Sequence, residues 1–91
     1  MIFLTTALFE RLFKKLDFYK QEEVKRAVSE LVAFFDSGIK TEGLGLKQLR
    51  KTIWEIRASI KDRILFSLVD GKTTLLIIGN HDDIRKFLKN L

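Results

Sequence analysis

The chain opens on "MIFLTTALFERLFKKLDFYK", where two hydrophobic periods meet. Ile2 to Leu4 is a short apolar run that predicts a strand, and Thr5 or Thr6 can cap the helix that follows. Leu8, Phe9, Leu12, Phe13 and Leu16 then recur at helical spacing, with Glu10, Lys14 and Lys15 on the wet side. "LDFYK" breaks the stripe, so Tyr19 falls in a turn between helices and is expected to pack there. A second helix is expected from about Gln21 to Ser37. Its apolar face is Val24, Ala27, Val28, Leu31, Val32, Phe34 and Phe35, and Gly38 stands where a helix ends in positive φ. The two helices read as an antiparallel hairpin.

"SGIKTEGLGLKQL" carries neither period, because Gly38, Gly43 and Gly45 interrupt both. It reads as a loop with a turn of helix at its end. Beyond it the period changes to two. "TIWEIRAS" puts Trp54, Ile56 and Ala58 on one face and Glu55, Arg57 and Ser59 on the other. "RILFSLV" is a second strand, Asp70-Gly71 a tight hairpin turn, and "KTTLLIIG" a third strand, apolar on both faces from Leu75 to Ile78 and therefore central. A last helix is expected from about Asp82, with Ile84, Phe87, Leu88 and Leu91 turned inward. The order β-α-α-β-β-β-α is that of an α+β fold: an N-terminal helical hairpin packed on a small, mostly antiparallel sheet, with a short C-terminal helix. The short first strand would be an added sheet member. No internal repeat is visible, and residues 1–91 read as one domain.

Composition narrows the chemistry. Hydrophobic residues make up 46% of the chain and eight are Phe, enough for one compact core but not for a large nucleotide-binding sheet. With no Cys, disulfides, Cys-based zinc sites and thiol nucleophiles are excluded. No stretch resembles a signal peptide or a membrane span, which points to a soluble, cytoplasmic protein. The formal charge is +5, and "KQLRKTIWEIRASIKDR" holds six basic residues against two acidic ones, a net of +4. Such a cluster attracts a phosphate backbone or an acidic protein partner, or is simply a solvated face.

"GNHDDI" at 79–84 holds the sole histidine. It is a poor metal site, since there is no second His and no HxxxH or Cys-Cys spacing. It is a good helix start: Asn80 caps, Asp83 follows three residues later, and Asp82 and Asp83 sit at the positive end of the helix dipole. His81 is left over, either as a surface residue or as a phosphate-contacting or proton-transferring group near neutral pH. Arg57 and Arg63 flank the first hairpin of the meander. They could bind one phosphate, or line a wet face and pair with Glu55 and Asp62, and register decides whether they share a face. Trp54 and Phe66 are expected in the core.

Taken together, "WEIR" at 54–57, "RILF" at 63–66, "DGKTTLLIIG" ending at 79 and the charged helix start before "IRKFL" resemble the RelE/ParE superfamily of bacterial and archaeal toxins. "WEIR…RILF…DG" is especially similar to the HigB-like branch, without that branch's lysine-rich ending. The resemblance covers about residues 44–90 and implies a RelE-like fold.

It also implies a ribosome-dependent mRNA endoribonuclease. Such a toxin needs no metal or cofactor: the substrate's 2′-hydroxyl attacks the adjacent phosphate. A cognate antitoxin would neutralise it. Carried across, Arg57, Arg63 and His81 become the catalytic group. Lys47, Arg50, Lys51, Lys61 and Phe87 become RNA contacts. Two departures stand out. Glu55 occupies the place of a catalytic lysine in RelE, and Phe87 lies about where RelE has a tyrosine. They leave open a ParE-type toxin that binds DNA gyrase without cleaving RNA, and a catalytically inactive relative.

Overall fold

Thr6 joins the first strand to the first helix with one hydroxyl. Its Oγ1 accepts the Phe9 N–H at 3.0 Å and donates to the Leu76 carbonyl at 3.0 Å. The computed structural model describes all 91 residues. It has β1 (Ile2–Thr5), α1 (Ala7–Lys15), α2 (Phe18–Ser37), β2 (Lys47–Gln48), β3 (Ile53–Arg57), β4 (Arg63–Val69), β5 (Lys72–Gly79) and α3 (His81–Lys89). This is an α+β, RelE-like architecture. The sheet order is β1-β5-β4-β3-β2, antiparallel except for the parallel pair β1 and β5.

Two expectations need correcting at the start of α2. The helix starts at Phe18 because the Asp17 side chain accepts the Lys20 N–H at 2.9 Å. Tyr19 is therefore helical, not in a turn, and it is 79% exposed instead of packed. At the other end the glycine stop holds: Gly38 has φ 76 and its N–H donates to the Phe34 carbonyl.

The glycine-rich segment after α2 also departs from expectation. It ends in a two-residue edge strand, β2, rather than a turn of helix. Lys47 pairs with Glu55, and two residues are too few to show alternation in sequence. Asp70 and Gly71 form the β4–β5 turn with φ 50 and 74, as that dipeptide predicts.

The sheet has a core on each face. The larger cluster lies under the helical hairpin, where Phe9, Val24, Ala27 and Leu31 meet Ile56, Ala58, Ile64, Phe66, Leu75 and Ile78, with Trp54 packed against it. The smaller lies under α3, where Ile84 meets Leu65 and Ile77 with Ile53, Phe87 and Leu88 around them. Leu91 is 62% exposed, past the end of α3, so it is not part of that packing. No helix is long and apolar enough to cross a membrane.

Candidate active site

Strand alternation settles which face Arg57 uses. Trp54, Ile56 and Ala58 point into the hairpin-side core, so Glu55 and Arg57 point to the face that carries α3. Arg57 pairs directly with Arg63, and Arg63 with Gly79, so the three form one row across β3, β4 and β5. Side chains directly opposite in a ladder lie on the same face. With strands about 4.8 Å apart, the row spans roughly 10 Å at the backbone. His81 follows Gly79 by two residues and is the exposed first residue of α3.

The start of α3 is rigidly made. Asn80 Oδ1 accepts the Asp83 N–H at 2.9 Å, and Asp83 Oδ2 accepts the Asn80 N–H at 3.0 Å. Gly79 is required beneath this box: a Cβ there would stand 2.6 Å from Asp83 Cβ. Asn80 and Asp83 are thus consumed by capping, and His81 is left projecting from a fixed backbone.

The two arginines differ in their surroundings. Arg63 is anchored: its Nη1 lies 3.2 to 3.4 Å from the carbonyls of Ser59, Ile60 and Asp62, and its Nε is 3.7 Å from Glu55 Oε2. Arg57 is exposed, and no ion pair or side-chain hydrogen bond ties it down. Two like charges directly opposite in a ladder repel. Glu55 offsets this, since its carboxylate sits on the same face two pairs further along the ladder, only 14% exposed.

Glu55 is the residue that sequence reasoning undervalued. It registers there as a departure from RelE's lysine or as a mere ion-pair partner. The i, i+2 spacing to Arg57 already placed it on the arginine face. Lys47 stands opposite Glu55 on β2 and edges the same surface. Lys61 is exposed in the β3–β4 connection, beside a shallow groove formed with Lys20, Glu23 and Asp62.

The remaining expected RNA contacts lie elsewhere. Arg50, in the β2–β3 connection, donates from Nη2 to the Leu88 carbonyl at 2.8 Å and so ties down the end of α3. Lys51 is exposed in the same connection, at the opposite end of β3 from Arg57. Phe87 is half-buried in a groove with Leu12 and Ile77, and six residues of helix, roughly 9 Å, separate it from His81. Register therefore sets Glu55, Arg57 and Arg63 on one face with Lys47 at its edge, and chain order puts His81 two residues past Gly79, at the Arg57 end of the sheet. Arg50, Lys51 and Phe87 belong to the other.

No protein-family model matches this chain, and no curated protein matches it. Solved structures do match. The Escherichia coli DinJ-YafQ complex aligns with a TM-score of 0.71 at 12% identity, covering 90% of this chain and 94% of that one. The RelB-RelE antitoxin-toxin complex from Methanococcus jannaschii gives 0.67 at 13% identity, over 92% and 96%. The fold is that of the RelE-like toxins. The intact E. coli RelBE toxin-antitoxin complex agrees, with a TM-score of 0.61 at 17% identity over 87% and 94%. At such identities the likeness is one of fold, and side-chain roles have to be argued from this chain's own residues.

Proposed function

We propose that this chain is the toxin of a toxin–antitoxin pair and cleaves messenger RNA on the ribosome. One observation supports the reading most: Glu55, Arg57 and Arg63 share a face, and His81 stands two residues beyond Gly79, the β5 partner of Arg63, in reach of the roles of base, phosphate-binding cations and acid proposed for them.

In the proposed reaction Glu55 takes the proton from the ribose 2′-hydroxyl as that oxygen attacks the neighbouring phosphorus. Arg57 and Arg63 hold the phosphate and neutralise the charge that builds on its free oxygens. The bond from phosphorus to the 5′-oxygen breaks, and His81, in its protonated form, gives a proton to that leaving oxygen. The products are a 2′,3′-cyclic phosphate and a 5′-hydroxyl end. The nucleophile belongs to the substrate, so the mechanism has no step that needs a metal ion or cofactor. A positioned acid or base contributes roughly 10²- to 10⁴-fold.

The +5 charge supports an acidic partner that covers this surface, and a cognate antitoxin is the proposed one. Such a pair would act in the cytoplasm, where ribosomes and messenger RNA are. The test adds the purified protein to ribosomes paused on a defined message and maps the new ends. Cyclic phosphate and 5′-hydroxyl ends are expected, and they should vanish when the nucleotide 5′ to the cut carries a 2′-deoxy sugar. Translation arrest with intact message would overturn the nuclease in favour of a toxin that acts by binding alone.

A further inference from the structure

Arg57 poses a problem that its neighbours solve. An exposed arginine with no partner is free to sample many rotamers, and binding a phosphate must overcome that freedom. Two segments flank it. On one side Ala58 begins the β3–β4 connection. On the other, the segment ending at Gly45 runs beside β3, and the Leu44 carbonyl accepts the Arg57 N–H at 2.8 Å.

Both segments are fastened to one carboxylate on α2. Glu30 Oε1 accepts from Thr41 Oγ1 at 2.7 Å, and Glu30 Oε2 accepts from Arg26 Nη1. Arg26 Nη2 in turn donates to the Ala58 carbonyl at 2.8 Å. The Thr41 carbonyl accepts the Leu44 N–H at 3.3 Å. The path leaves Arg57 through Leu44, passes Thr41, Glu30 and Arg26, and returns at Ala58, the next residue in the chain. Leu44 is fully buried and pins the path to the core.

Gly45 completes the arrangement. It has φ 64, and a Cβ there would lie 3.0 Å from Arg57 Cβ and 3.6 Å from Arg57 Nε. The absence of a side chain at Gly45 therefore leaves the arginine stem the space it occupies, which any larger residue would crowd.

We infer that Gly45, Thr41, Glu30 and Arg26 are positioning residues for Arg57: the closed hydrogen-bond path fixes the two segments that border it, and Gly45 leaves its stem the room it needs. As a contribution to cleavage this rests on the nuclease reading. As a statement about the order of Arg57 it does not.

The test has two arms. Thr41→Val removes the hydroxyl at an exposed position with little risk to folding, Thr41→Ser keeps it, and Gly45→Ala crowds the stem. In the first arm, NMR follows the order of the Arg57 Nε–H in each full-length protein. Thr41→Val should loosen it, Gly45→Ala should shift it, and Thr41→Ser should match the parent. Unchanged Arg57 order in both Thr41→Val and Gly45→Ala would overturn the inference. In the second arm, cleavage of ribosome-bound message is measured in the parent and in an Arg57→Ala background. Thr41→Val should lower kcat about tenfold with KM little changed in the parent, and do nothing further once Arg57 is gone. An equal loss in both backgrounds would reduce the network to general stability and overturn its role. A parent protein that cleaves nothing would defeat the nuclease reading, and the NMR arm would still decide this one.

Discussion

The carboxylate of Glu55 and the guanidinium of Arg63 lie 3.7 Å apart across the β3–β4 ladder, both mostly shielded from solvent. That contact holds the Glu55 side chain on the face of the sheet that carries Arg57 and Arg63. Glu55→Gln preserves shape and removes the base. Cleavage is expected to fall by about 10²- to 10⁴-fold. Folding stability should fall by about 1–3 kcal/mol, because the change leaves the mostly shielded Arg63 charge without its carboxylate. Single-turnover cleavage beside urea unfolding checks both, and equal cleavage by Glu55→Gln would remove Glu55 from the mechanism.

Arg57 and Arg63 face each other as like charges but are not equivalent. Arg57→Ala removes a repulsion and no bond, so stability should be unchanged or rise by a few tenths of a kcal/mol. Arg63→Ala removes the donor to the β3–β4 connection and the cation beside Glu55. It should lower stability by about 1–3 kcal/mol. Both should lower cleavage by about 10²- to 10³-fold and leave a measurable residual rate. Parallel urea titrations distinguish them, and equal loss of stability would contradict the assignment of Arg63 as anchored and Arg57 as free.

Much of this was legible in the sequence. The α1 and α2 stripes, the period-two strands, the Asp70-Gly71 turn and the Asn80 cap are local signals, and each matches its element. Tyr19 and β2 were not legible for opposite reasons. Asp17 is a good cap four residues before the expected start at Gln21, and Lys47–Gln48 is too short to carry a period. At the site, sequence alternation put Glu55 and Arg57 on one face but could not place Arg63 with them. Register did that, and register is a property of the pairing, not of either strand. Arg50 and Phe87 were RNA contacts only by the resemblance, which carries positions across and not the neighbours each side chain meets in this chain. One serves as a tether to Leu88, and the other lies half-buried against Leu12.

Gly79 should not tolerate a side chain. A Cβ would meet Asp83 at 2.6 Å and force that side chain off the Asn80 N–H. Gly79→Ala is expected to cost about 1–2 kcal/mol, the scale of a lost helix cap. Asp83→Ala should cost less in that background than alone, because the same bond is already broken. A urea double-mutant cycle reads the coupling, and strict additivity would mean that the glycine serves something other than the capping box.

Arg50 separates a structural cation from an RNA contact. Its Nη2 donates to the Leu88 carbonyl in the last turn of α3, where a positive charge also suits the helix dipole. Arg50→Ala should lower hydrogen-exchange protection in α3, cost about 1 kcal/mol, and leave the salt dependence of ribosome binding unchanged. Lys61→Ala, at the arginine end, should leave stability alone and reduce that salt dependence. The reverse pattern would move the RNA path to the other end of the sheet.

Glu30 predicts how the protein responds to acid. The hydrogen bond from the Thr41 hydroxyl is the main cause holding its carboxyl below the ordinary glutamate range. Partial burial opposes this, while the Arg26 guanidinium adds to it. Because the folded value is depressed, the stabilisation is fully present above the unfolded value of about 4.3 and is lost as pH falls through the folded value. Urea midpoints across this range should therefore drop more steeply with acid for the parent than for Glu30→Gln, the two curves converging at the lowest pH. Thr41→Val, which removes the largest cause, should shift its loss to higher pH than in the parent, whereas Thr41→Ser should track the parent. Parallel curves for the parent and Glu30→Gln would mean that Glu30 titrates alike in the folded and unfolded chains, and that the path from Leu44 to Ala58 is held by something other than its charge.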